Sequence, residues 1–91
     1  MTKLLLSVVE DTFQLSGRRG IVVAPGIPRD GDWRIKVGDP VVLERPDGTS
    51  IETAISGIEM LSPANKISIP ILLGVTAKSD VPIGTKIWVR A

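Results

Sequence analysis

Short apolar runs separated by polar and turn-forming residues mark this chain: Leu4-Leu5-Leu6, Ile21-Val22-Val23, Val41-Val42-Leu43, Ile69 to Leu73 and Ile87-Trp88-Val89. Most are rich in β-branched residues and bounded by turn signals, the pattern of strands on a half-buried pleated surface. Alternation adds detail in Ser50 to Met60, where Ile51 and Ile55 share one parity, Ile58 and Met60 the other, and Gly57 lies between. A period-two strand that changes face at a glycine predicts a bulge or bend there.

Glycine and proline set the lengths of these elements. Nine glycines and seven prolines are spread along the chain, and past Ser16 the longest stretch free of both is Thr49 to Ser56. That is shorter than a typical helix of ~11 residues. Arg45-Pro46-Asp47-Gly48-Thr49 reads as a hairpin turn, with proline fixing φ and glycine free to take positive φ. Val37-Gly38-Asp39 and Ile83-Gly84-Thr85 read as two further tight turns, each just before a β-rich run. Pro40 is expected at a strand start and Pro70 on an edge strand, because neither can donate a ladder hydrogen bond. The chain therefore reads as an all-β sandwich or barrel.

Composition narrows the class. Ninety-one residues form a single domain, residues 1–91, with a modest core. There is no cysteine and no histidine for a disulfide or zinc site, and no metal or cofactor is expected. Lys3 and Leu4 to Val9 look superficially like a signal peptide, but the apolar run stops at Glu10-Asp11 and reads as a first strand. Ile67 to Val75 is interrupted by Pro70 and Gly74 and falls well short of the ~20 residues that span a bilayer. No membrane contact is expected, and the missing cysteines fit a reducing, cytoplasmic location.

The formal net charge is only +1, so no strong overall field attracts nucleic acid. Its distribution is uneven: Arg18, Arg19, Arg29, Arg34 and Lys36 lie early, whereas Asp39, Glu44, Asp47, Glu52 and Glu59 follow. Without histidine, cysteine or tyrosine, nucleophilic and acid–base constellations are missing, and the chain does not read as an enzyme. It has no Gly-x-x-x-x-Gly-Lys phosphate loop, so GTP binding by this chain alone is not expected. Asp30-Gly31-Asp32 with Asp39 fails the spacing of a calcium loop, and Trp33-Arg34 stands at ligand positions.

Several short elements recur in a definite order: Glu10-Asp11-Thr12-Phe13, Gly17-Arg18, Ile21-Val22-Val23, Lys36-Val37-Gly38-Asp39, Gly57-Ile58-Glu59-Met60, Leu72-Leu73-Gly74, and Asp80-Val81 through Gly84. In this order the chain resembles the second domain of elongation factor Tu and its translational GTPase relatives, here without the GTPase. The resemblance covers Leu4 to Val89 and implies a closed six- or seven-stranded antiparallel β-barrel of the translation-protein type. The chain departs from the family in Gly17-Arg18-Arg19-Gly20, which holds one residue more than the usual Gly-Arg-Gly. The loop Pro25 to Trp33 is longer than the family's and proline-rich.

In that family the corresponding surface receives the 3′ adenosine of aminoacylated tRNA. Carried over, the resemblance implies that Leu15 and Val22 flank the base, Gly17 and Arg18 lie beside it with Arg19 next in the turn, and Glu59 accepts a ribose hydroxyl. Apolar walls against a base and a carboxylate on a 2′-OH are sound RNA chemistry. A barrel without its usual neighbouring domains must also cover the face they occupied, since large exposed apolar patches favour association. Trp33 and Trp88 are the candidates for that contact. The expected function is a non-enzymatic interaction module that binds a protein partner or self-associates. The alternative is RNA binding, to a tRNA 3′ end or ribosomal RNA, through the Arg18/Glu59 pocket.

Overall fold

In the computed structural model, which describes residues 3–14, 17, 19–28, 33–58 and 68–90, each of these apolar runs becomes a strand. In chain order the elements are β1 (Lys3–Val8), β2 (Asp11–Phe13), β3 (Ile21–Pro28), β4 (Pro40–Glu44), β5 (Ser50–Ile58), β6 (Ser68–Leu73), a 3₁₀ turn (Lys78–Asp80) and β7 (Lys86–Arg90). All pairings are antiparallel and the described strands form one sheet in the order β1-β7-β4-β5-β6-β3-β2. Side chains alternate between faces. In β7, Ile87 and Val89 are buried while Lys86, Trp88 and Arg90 face outward; in β4, Val41 and Leu43 point in and Val42 and Glu44 point out. The inward residues, Ile21, Val23, Leu43, Ile71, Leu73 and Ile87 among them, meet in one core from which water is excluded.

The sheet curls around this core as an open half-barrel, not the closed barrel expected from the resemblance. Its two borders, β1 and β2, are consecutive in the chain. The Val9 N–H donates to the Thr85 carbonyl at 2.8 Å on the β7 side, and the Glu10 N–H donates to the Ala24 carbonyl at 2.8 Å on the β3 side. β1 then lies against β3 without a hydrogen-bonded ladder. β2 is only three residues long and its pairing with β3 stops at Ala24, so beyond it no described strand is hydrogen-bonded to that side of β3; Pro25 and Pro28, expected in a loop, belong to this part of β3 and have no N–H to offer.

Pro40 opens β4 as expected, but Pro70 is in β6, an interior strand. It is tolerated there because the β3–β6 register shifts between Val23 and Ile27, and among the described residues the β5–β6 pairs begin at Ile71. The bend anticipated at Gly57 is present as a register shift in which Ser56 is the extra residue between Ile55 and Gly57.

Two of the Gly-containing turns are built alike. In Lys36 to Asp39 the Gly38 N–H donates to the Ile55 carbonyl at 2.7 Å, and the Ile55 N–H donates to Asp39 at 3.0 Å. In Pro82 to Thr85 the Gly84 N–H donates to Val9 at 2.8 Å, and the Val9 N–H returns to Thr85. Both glycines take positive φ, +98° and +94°, which residues with a Cβ rarely adopt. Each turn thus fastens the start of a strand to a neighbouring segment, and each presents an exposed apolar residue, Val37 or Ile83, at its corner.

Candidate functional site

The outward residues of β1, β7, β4 and β5 fall into register as three rows. Lys3 and Arg90 pair at one end of the β1–β7 ladder, with Pro40 and Ala54 in the adjoining β4–β5 pair. The middle row runs Leu5, Trp88, Val42, Glu52, and the third runs Val8, Lys86, Glu44, Ser50. Cations therefore stand on β1 and β7, acids on β4 and β5, and the apolar groups lie between and among them.

Trp88 is the centre of this face. Its indole Nε1–H donates to Glu44 Oε1 at 2.8 Å, and the Lys3 ammonium sits 4.8 Å from the ring centroid, within cation–π range. The half-buried ring leans on the sheet and leaves beside it a groove of about 170 Å³, bordered by Lys3, Pro40, Val42, Glu52 and Arg90. Leu5 and Val8, 41% and 39% exposed, extend the apolar strip to the border strand. Trp33, the other tryptophan, packs against the core cluster and is half-buried.

A second concavity, wider at about 540 Å³, lies between Gln14, Arg19 and Gly20 on one side and Ser56, Gly74, Val75 and Thr76 on the other. Arg19 is exposed at its rim, and the exposed Gly17 takes positive φ in the turn before it. Val22 is buried outside the core cluster; its register partners are Phe13 and Leu72, and Leu72 in turn pairs with Gly57. Leu15, Arg18 and Glu59 lie outside the described residues. Of the three residues implied for adenosine that are described, Gly17, Arg19 and Val22, Arg19 is among those that line this cleft.

Arg45, Asp47 and Asp80 serve the turns. Arg45 Nε donates to the Asp80 carbonyl at 2.9 Å and its terminal nitrogen is 3.8 Å from the Asp80 carboxylate, tying the β4–β5 hairpin to the 3₁₀ turn. Asp47 accepts hydrogen bonds from the Thr49 hydroxyl at 2.6 Å and the Thr49 N–H at 2.9 Å, which hold its carboxyl below the usual aspartate range. Among the described residues no cluster of acids is placed to hold a metal ion, and no helix is long and apolar enough to cross a membrane.

The sequence singles out Trp33 and Trp88 as contact candidates but not the residues that the fold sets beside Trp88. Alternation within Lys86-Ile87-Trp88-Val89-Arg90 contained the signal for the outward parity of Lys86 and Arg90. The juxtaposition with Lys3, Leu5, Val42 and Glu52 depends on strand order, which no local pattern encodes. No family model, curated protein or solved structure matches the chain.

Proposed function

We propose that this chain is a non-enzymatic interaction module of translation-factor ancestry, docking onto another protein chain through the outer face around Trp88. The observation that supports this reading is the Leu5–Trp88–Val42 strip, apolar and solvent-accessible, flanked by opposite charges. Such a centre, an aromatic anchor in an apolar patch with a charged rim, is the anatomy of a protein contact. The ancestry rests on the ordered resemblance from Glu10 to Gly84. A photo-reactive residue in place of Leu5 should yield a protein adduct of defined mass, whereas one in place of Asp47, at the hairpin tip, should not. Equal labelling from both positions, or none from Leu5, would sink the reading.

A second reading is favoured by the cleft beside Arg19, which is open, rimmed by a cation and close to the turn that the resemblance assigns to adenosine. On this reading a CCA-ended RNA binds with a salt-dependent affinity that weakens in Arg18→Ala and Arg19→Ala. Binding unchanged by either substitution would remove it.

A further inference from the structure

We infer that the occupant of the outer face is the same face of a second copy of this chain, a reading that rests on the docking role proposed above. The charge layout is self-complementary. Lys3, Lys86 and Arg90 occupy β1 and β7, while Glu44 and Glu52 occupy β4 and β5, and the division between the halves runs along the β7–β4 ladder. A two-fold axis parallel to the strands and passing between β7 and β4 places each cationic half over the acidic half of the other copy.

The register fixes which groups then meet. Within the middle row, Trp88 faces Val42 of the second copy, and the groove beside Val42 receives the ring. In the third row Lys86 faces Glu44 of the second copy, and Lys3, one row away, is within side-chain reach of the opposing Glu52. Rotating the second copy by half a turn within the plane of the contact would instead set the rows in reverse order and part Lys86 from Glu44. Two stacked sheets with their usual spacing of ~10 Å and offset of about 30° accommodate this arrangement.

Four strands at ~4.8 Å and five residues at ~3.4 Å give a face of about 300 Å² in projection. That is below the ~800 Å² per partner of a standard stable interface, so the dimer is weak, reversible and concentration-dependent.

The test uses the full chain in sedimentation velocity and in NMR of the indole N–H signals from ~10 µM to ~1 mM, a range that brackets weak association. The Trp88 signal should move with concentration while that of Trp33, packed on the core, stays fixed. Raising salt from ~50 to ~500 mM should weaken the dimer several-fold, because the paired charges are near the surface. Lys86→Glu and Glu44→Lys each set like charges face to face in their own dimer and should weaken self-association about tenfold or more. An equimolar mixture of the two restores both pairs and should associate more tightly than either alone. If Glu44→Lys fails to fold by circular dichroism, Lys3→Glu with Glu52→Lys replaces the pair. A chain monomeric at ~1 mM with a static Trp88 signal overturns the inference, as does a mixture no tighter than its components. A monomer that still gives the Leu5 adduct with an unlike protein defeats the second copy and leaves the docking reading standing; loss of both results defeats both.

Discussion

The indole Nε1–H of Trp88 on β7 donates to the Glu44 carboxylate on β4 across the ladder that joins them, at 2.8 Å. Trp88 is register partner to Val42 and Glu44 to Lys86, so the bond runs diagonally between rows and sets the tilt of the ring. Glu44→Ala should free the ring, lower the steady-state anisotropy of Trp88 fluorescence and cost about 1 kcal/mol of stability, the usual net worth of such a bond. An unchanged anisotropy would show that packing alone orients the indole.

Ser7 is the register partner of Ile87, beside the irregularity of β1, and among the described residues its buried hydroxyl has no hydrogen-bond partner. An unsatisfied buried polar group costs ~1–3 kcal/mol. Ser7→Ala removes that cost for the loss of little volume and should raise stability by about 1 kcal/mol in urea unfolding. A destabilised variant would mean that the hydroxyl has a partner after all, such as a bound water.

Asp47 gives the acid limb of stability its sign. Its bonds to Thr49 favour the carboxylate, so its folded-state pKa lies below the unfolded value. The contribution is complete above the ordinary aspartate value of ~3.9 and is lost as pH falls through the lower folded value. In Asp47→Asn that part of the acid dependence should vanish while stability at neutral pH changes little, since the group is fully exposed. A carboxyl carbon resonance of Asp47 titrating at or above the ordinary value would contradict it.

Gly84 and its neighbour Ile83 separate backbone from side-chain effects in one turn. Gly84→Ala must place a Cβ at positive φ and should cost roughly 1–2 kcal/mol. Ile83→Ala, at a corner 64% exposed, should stay within ~0.5 kcal/mol. Equal thermal shifts for the two would discount the turn geometry.

The strands and turns were legible because their signals are local. Period-two burial in Ile87-Trp88-Val89, proline and glycine in Arg45 to Thr49, and the change of parity at Gly57 each act over a few residues. What escaped was set by distant partners. Pro25 and Pro28 look like loop residues until β3 is seen to continue through them, past the point where the three-residue β2 stops. Pro70 looks like an edge residue until a register break in the middle of the sheet makes room for it. The grouping of Lys3 with Glu52 follows from β7 and β4 lying between β1 and β5, an order fixed by the packing of the whole core.

One extended segment, Lys3 to Phe13, hems both borders of the sheet, β1 along β7 and β2 along β3. A chain starting after Phe13 would not merely be shorter. It would lay bare two strand edges at once, with unpaired N–H and carbonyl groups on each, and turn a discrete domain into a unit primed to polymerise side by side.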